Sequence, residues 1–574
     1  MTLSPSGHTD TFARDHLPQV GQWPVLEFTT EALRYPERLN AAVELIDGAV
    51  AAFGPDRPAL RTADGDVWTY RELQRRADQI AQVLTEDLGL VPGNRVLLRS
   101  PNNPWTVAAW LGVVKAGGIV VTTMAVLRAG ELAPVVEKTR PVVALVDHRF
   151  LDDVFAVRDT VAPDLVVVPY GGDTADDLSN RVEAKAGRFT AADTAADDVA
   201  LFGPTSGTTG VPKITTHFHR DILSIDNTFG KHTLRLLPDD LVACTAPLAF
   251  TFGLGLLVVF TLRAGACAFL TESVPPAGLA DLVAEHGVTV LATAPTAYQQ
   301  ILKSGKADRL IGLRRAVSAG EHIPQSLWEE LRDRLGLKVI DGIGATEMLH
   351  IFISADGDDI RPGATGKPVP GYRATILTPD GKELGPGAEG LLGVIGPVGC
   401  RYLDDERQSA YVLGGWNVTG DTFLRDEEGY FWYRARNDGL IVSSGYNIAG
   451  PEVEAAVLTH PDVVEAAVIA EPDAERGSIV CAFVVLREGA AGDAATARDI
   501  QDHVKQQIAP YKYPRDVRFT DSLPRNPSGK LQHFKLRQIV TEQITTEQIM
   551  TEQIATEQIA TEQIVEEQIV EDQS

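Results

Sequence analysis

From Trp68 to Ile340 the chain repeats one phrase: an amphipathic helix, a glycine break, then a short run of Val, Leu and Ile. Trp68, Leu73, Ala77, Ile80 and Leu84 recur at helical spacing, and Gly93 separates them from the run Arg95-Val-Leu-Leu-Arg99. A second helix is predicted from Pro104 and ends at Gly117-Gly118, before a strand over 119–122. Strands are predicted at 141–147, 164–168, 198–202, 289–292, 313–317 and 338–340, with helices at 280–286 and 328–335. Short, unalternating apolar strands fed by helices must be buried on both faces. That requires layered α/β architecture with largely parallel strands.

The texture changes twice. Residues 372–378, the turn Pro379-Asp-Gly381 and residues 391–395 read as antiparallel β structure. After Asp438 a small α+β unit is predicted: strands at 440–443, 463–470, 479–486 and 516–520, and helices from Pro451 and at 497–508. The expected domains are therefore a large N-terminal one (1–437), a small C-terminal one (438–540) and a tail (541–574). Residues 1–31 are polar and read as an arm lying on the surface.

The tail repeats Thr-Glu-Gln-Ile with a period of five. Successive Ile then step by about 140° around a helix and form no apolar stripe. The tail reads as acidic, disordered or weakly helical, and dispensable for chemistry. It carries eight Glu, one Asp and no Lys or Arg, nine of the net −26 charges. Charge of this sign argues against a nucleic-acid partner. The most apolar stretch, 254–262, stops at Arg263, and Asp10, Arg14 and Asp15 leave no apolar leader, so neither a membrane span nor secretion is expected. Cys244, Cys267, Cys400 and Cys481 lack metal-ligand spacing and read as buried thiols of a cytoplasmic protein.

Five clusters carry candidate chemistry. The first is Gly203-Pro-Thr-Ser-Gly-Thr-Thr-Gly-Val-Pro-Lys213, with four hydroxyls (Thr205, Ser206, Thr208, Thr209), turn-permitting Gly207 and Gly210, and a closing cation. Such a run suits phosphate, although Val211-Pro212 before Lys213 excludes a Walker A loop. The second is Asp341-Gly342-Ile343-Gly-Ala-Thr346-Glu347, at the carboxyl end of a predicted strand, where Glu347 suits Mg²⁺ and Thr346 a phosphate oxygen. The third pairs Asp421, a carboxylate able to accept two ribose hydroxyls, with Arg436. The fourth is Ser443-Ser-Gly445-Tyr-Asn, and the fifth Pro524-Arg-Asn-Pro-Ser-Gly-Lys530. Each cluster alone also suits an ordinary turn; their joint occurrence in this order does not.

In that order the clusters resemble the adenylate-forming acyl- and aryl-CoA synthetases over nearly the whole chain up to Arg537. The extended Glu347-Met-Leu-His350-Ile351-Phe resembles the benzoate and 2-aminobenzoate branch. The resemblance implies an enzyme that uses ATP, Mg²⁺ and CoA. It implies Lys213, Thr346, Glu347 and Lys530 as catalytic residues, with Glu347 also the metal ligand. Thr205 to Gly210, Gly320, Glu321, Asp341, Gly342, Ile343, Asp421, Arg436 and Gly445 are implied to bind nucleotide or CoA. Asp438 is the implied hinge. Phe250, Phe252, Ala319, His350 and Ile351 are the implied wall of an aromatic-acid pocket, with His350 toward the carboxylate. His217, His219 and His350 are each equally read as structural histidines.

Two departures stand out: Ile214 and His533 replace the Gly and Arg usual in such sequences. Other outcomes therefore stay open beside transfer to CoA. They are loading of a separate carrier protein, nitrite activation with aryl-amine diazotisation, and a non-catalytic scaffold. A homo-oligomer also stays open.

Overall fold

The repeated phrase builds two helix-covered sheets. The computed structural model describes residues 3–205, 211–436, 440–524, 531–533 and 535–543, with backbone alone at 276–277 and 435–436. Ser206, Gly207, Thr208, Thr209, Gly210, Asp438, Lys530, the Arg436 side chain and the tail beyond 543 thus lie outside the described residues.

The first sheet has six strands in the order Val166–Tyr170, Val143–Asp147, Arg95–Arg99, Ile119–Thr123, Val199–Thr205, Lys213–Phe218. Its first five strands run parallel and the last antiparallel. Every residue of Arg95–Arg99, Ile119–Thr123 and Val143–Asp147 is buried, which is why these strands read as unbroken apolar runs. The helix Pro104–Lys115 starts where Asn103 accepts the Thr106 N–H and Pro104 needs no N–H partner.

The second sheet has nine strands, of which Ile340–Gly344, Arg315–Ser318, Val290–Thr293, Leu241–Cys244, Cys267–Leu270 and Pro58–Thr62 form a parallel core. Antiparallel strands Ile351–Ser354 and Val67–Thr69 flank it. A third, antiparallel sheet includes Arg373–Leu377, Glu389–Ile395, Trp416–Arg425 and Phe431–Arg436.

The small unit combines the hairpin Leu440–Ser443/Tyr446–Ala449, the three-stranded sheet Val463–Asp473, Gly477–Leu486 and Asp516–Phe519, and the helices Gly450–Leu458 and Ala494–Gln507. These pack around their own core of Ile441, Ile448, Val453, Ile500 and Val504. The fold is mixed α/β with a large N-terminal and a smaller C-terminal part. Among the described residues no helix is long and apolar enough to cross a membrane. All four cysteines are free and buried.

Two expectations change, and the phosphate-loop candidate gains its setting. The N-terminal segment is more than an arm lying on the surface: Ala13 is fully buried, and Arg14 pairs with the buried Asp197 and Asp198 at 3.4 and 3.1 Å. The phosphate-loop candidate joins two antiparallel strands, in which Thr205 pairs with Lys213. The strand predicted at 338–340 instead spans Ile340–Gly344 and takes in the glycines. Those glycines are needed there, because a Cβ on Gly342 would meet Ile351 at 2.8 Å and one on Gly344 the His350 carbonyl at 2.8 Å.

Candidate active site

Lys213, the first residue of its strand, reaches across to the turn after the strand Ile340–Gly344. Its Nζ donates to the Tyr402 hydroxyl at 2.8 Å and lies 3.4 Å from Glu347 Oε1. Tyr402 in turn donates to the same Glu347 oxygen. Glu347 and Tyr402 are buried, so a cation, a phenol and a carboxylate share one desolvated corner. Tyr402 carried no signal in the sequence; its segment is brought alongside by Leu403 N–H to Ile214 carbonyl, 2.8 Å. Gly203 permits the remaining approach, since a Cβ there would sit 2.7 Å from Thr215 Oγ1 and 3.0 Å from Thr346 Cγ2.

A cavity of about 710 Å³ opens beside this corner. Thr205, Phe250, Phe252, Ala319, Gly320, Thr346, His350, Ile351 and Gly445 line it. His350 is 2 % exposed and ringed by Phe229, Phe252 and Phe260 at centroid distances of 5.3, 5.6 and 4.7 Å. Neither ring nitrogen completes a hydrogen bond among the described residues. Burial pushes the imidazole down to about 3, against a weaker opposing pull from the Phe252 backbone, so it is neutral at pH 7. Gly255 makes room for the ring: a Cβ there would lie 2.4 Å from His350 Cδ2. His217 and His219 are core residues instead. His217 Nε2 meets Thr215 Oγ1 at 3.0 Å, and His219 Nδ1 accepts the Ala41 N–H at 3.0 Å.

Asp341, Gly342 and Ile343 lie in the strand that leads directly to Gly344 and Ala345, which line the cavity. Asp341 is buried, its Oδ1 has no partner among the described residues, and burial raises its carboxyl well above the usual range. An orphaned buried acceptor is costly unless a ligand completes it. Asp421 is buried on Trp416–Arg425 and stands in register with Arg436 on the neighbouring strand.

Gly320 and Glu321 meet the small unit directly. Gly320 adopts φ +92° and Gly445 φ +82°, backbone that favours glycine, and a Cβ on Gly320 would come 3.3 Å from the Gly445 Cα. The Glu321 carboxylate accepts the Gly445 N–H. A Cβ on Gly477 would lie 3.8 Å from the same carboxyl, so the small unit also covers it. Burial pushes Glu321 up to about 7, opposed by hydrogen bonds from Gly445 and Thr296.

The pH consequence has a definite sign. In an arrangement that exposes its carboxyl to water, Glu321 falls toward the ordinary 4.5 and releases its proton at lower pH. The docked arrangement is therefore favoured in full below about pH 4.5 and loses that advantage as the pH rises toward 7. Glu321→Gln, which cannot ionise, is expected to flatten the pH dependence of any step needing docking between about pH 5 and 7. Stopped-flow rates across that range check this, and an unchanged profile refutes it.

The two departures read differently in three dimensions. Ile214 is fully buried among Phe202, Phe218 and Leu403, because strand alternation turns it away from its neighbour Lys213. His533 Nε2 bonds Glu454 Oε1 at 2.6 Å. As to magnesium, both bonds that Glu347 makes to described residues fall on Oε1, leaving Oε2 for a cation. One carboxylate suffices for an ion that keeps water and phosphate oxygens as its other ligands. The cluster Glu471, Cys481, Asp516 lies elsewhere, in the small unit, with Arg518 bonded to both carboxylates at 2.6 Å.

Comparison with known proteins fits this geometry. The AMP-binding enzyme profile matches residues 48–401, and that of the AMP-binding enzyme C-terminal domain matches 452–530. The chain is 34% identical over 516 residues to a benzoate–CoA ligase of Thauera aromatica, covering 89% of this chain and 98% of that protein. Among solved structures, the anthranilate CoA ligase AuaEII in complex with anthranoyl-AMP is 31% identical with a TM-score of 0.69, over 89% of this chain and 99% of that one. The amide bond synthetase McbA of Marinactinospora thermotolerans is 26% identical with a TM-score of 0.78, over 87% and 99%.

Proposed function

The chain belongs to the AMP-binding enzyme family, and from that premise we propose an ATP-dependent ligase that joins a benzoate- or aminobenzoate-like acid to coenzyme A through its adenylate. One observation carries the aromatic reading. The rings of Phe250 and Phe252 and the apolar side chains of Ala319 and Ile351 share one cavity with Thr205 and Thr346, and the cavity continues to Gly445 of the small unit. An aromatic ring, a phosphate and a second substrate can thus meet in one space.

In the first step a carboxylate oxygen attacks the α-phosphorus of ATP, the bond to the β-phosphate oxygen breaks, and pyrophosphate leaves. Lys213 and the hydroxyls of Thr205, Ser206, Thr208 and Thr209 would hold the departing phosphates. Thr346 would donate to a phosphate oxygen, and Lys530 would meet the charge that builds on the α-phosphate. Asp341 would accept from the adenine amino group, beside the aliphatic face of Ile343, and Asp421 and Arg436 would hold the ribose. Bound at Glu347, Mg²⁺ would neutralise phosphate charge. In the second step the CoA sulfur attacks the acyl carbon, the acyl–phosphate bond breaks, and AMP leaves with the electron pair. Asp438 would be the hinge between the two arrangements, with domains near 1–437 and 438–540. Neutral His350 would address the substrate as a hydrogen-bonding group, not as a cation.

The test is pyrophosphate release across benzoates, aminobenzoates and cinnamates, with and without CoA. Benzoates are expected to stimulate release and CoA to yield the thioester. An amine acceptor forms a further arm, since an amide bond synthetase is among the similar structures. Nitrite with an aryl amine, and a carrier protein, complete the panel. Release that needs nitrite and no acid would overturn the ligase reading, and no release at all would favour a scaffold.

A further inference from the structure

The small unit is fastened to the large one by a buried ion cluster that no motif announced. Lys512, in the turn Pro510–Lys512, is 4 % exposed. Its Nζ donates to Glu131 Oε1 at 2.5 Å and to Glu452 Oε1 at 2.6 Å. Glu131 opens the large unit's helix Ala129–Thr139, and Glu452 opens the small unit's helix Gly450–Leu458. The other Glu131 oxygen accepts the Ala509 N–H at 2.7 Å and the Arg128 N–H at 2.9 Å. One carboxylate of the large unit thus grips two groups of the small unit while capping its own helix.

The cluster depends on Lys512. Two carboxylates brought together out of water repel unless a cation lies between them, and an ion cluster that loses one partner leaves uncompensated charge. Burial and the neighbouring Glu131 both push the Glu452 carboxyl up, and Lys512 opposes them. Tyr511, beside Lys512, packs at a tilt against Tyr446 with centroids 4.5 Å apart, and Tyr446 meets Phe250 of the acid pocket edge-on at 6.0 Å. The ion cluster is therefore linked by packed rings to the hairpin that carries Gly445.

We propose that Lys512 is a positioning residue which, through Glu131 and Glu452, latches the small unit in the arrangement that serves acyl transfer to the thiol. The proposal rests on the two-step reading above. In this arrangement Gly445 abuts Gly320 and completes the wall of the cavity, so the acceptor's route exists only while the latch is closed. Adenylation, carried out with the small unit turned elsewhere, does not need it.

Lys512→Met separates the two steps. Transfer from supplied benzoyl-AMP to CoA is expected to fall about 10–100-fold, while acid-dependent ATP–pyrophosphate exchange stays within about 2-fold. Glu131→Gln, a milder change that keeps an acceptor for Ala509, should give the same split with a smaller fall. Small-angle X-ray scattering supplies a readout free of activity: both variants should shift toward a more extended particle than the native chain. Parallel loss of both steps, or no loss in either, overturns the latch. If the native chain shows no acid-dependent exchange, the ligase reading fails instead. Scattering then judges the latch alone, and an unchanged profile overturns it.

Discussion

Replacing Glu347 by Gln is expected to slow acid-dependent pyrophosphate release by about 10²–10³-fold, with little change in fold. Gln occupies the same volume, so the buried corner stays filled. What disappears is the negative charge that Lys213, 3.4 Å away, and the Tyr402 hydroxyl now face. Without it, Lys213 loses the carboxylate it faces in a desolvated site, and a Mg²⁺ bound there would lose the protein ligand proposed for it. Tyr402→Phe is the companion variant. It keeps the ring under Lys213, whose Nζ is 4.9 Å from the centroid, and removes only the bridging hydroxyl. A loss of about 10-fold is expected there, by the worth of one charge-assisted hydrogen bond. Pyrophosphate release measured against magnesium concentration checks both variants. An unchanged rate and metal dependence in Glu347→Gln would remove Glu347 from the metal and phosphate site.

That corner also marks where the sequence could and could not be read. The parallel strands were legible because burial on both faces forces unbroken Val and Leu runs, as at Arg95–Arg99 and Ile119–Thr123. The cavity residues Phe250, Phe252, Ala319, His350 and Ile351 came from resemblance, since no spacing rule links Phe250, which precedes the short helix Thr251–Leu254, to Ile351 on a distant strand. Tyr402 and the Glu131–Lys512 pair were invisible for a related reason. Each is made by segments far apart in the chain, and neither lies in a motif with a mechanism of its own. The strand Ile340–Gly344 was cut short because glycine weakens strands in general, whereas here close packing against His350 and Ile351 demands it. Ile214 looked like a functional departure only because its neighbours are functional. Alternation along the strand gives Lys213 to the site and Ile214 to the core.

Lys530→Ala should slow one half-reaction steeply and spare the other. As the acid's carboxylate approaches the α-phosphate, two anions must come within bonding distance, and the transition state carries more negative charge on the phosphate than either ground state does. A lysine at that point acts where charge grows, so its loss raises the barrier by more than it weakens binding. The expected fall in adenylate formation is about 10²–10³-fold. Transfer from supplied benzoyl-AMP to CoA makes a different demand: the phosphate is then a leaving group already bonded to the acyl carbon, and a closed Glu131–Lys512–Glu452 latch supplies the geometry. Lys530→Ala and Lys512→Met are therefore mirror images, the first failing in adenylation and competent in transfer, the second the reverse. Mixing the two variants with benzoate, ATP and CoA should restore thioester formation only as far as benzoyl-AMP escapes from one enzyme to the other. Equal loss of both steps in Lys530→Ala would mean that the residue supports the fold or the domain contact, and its assignment to the α-phosphate would fall.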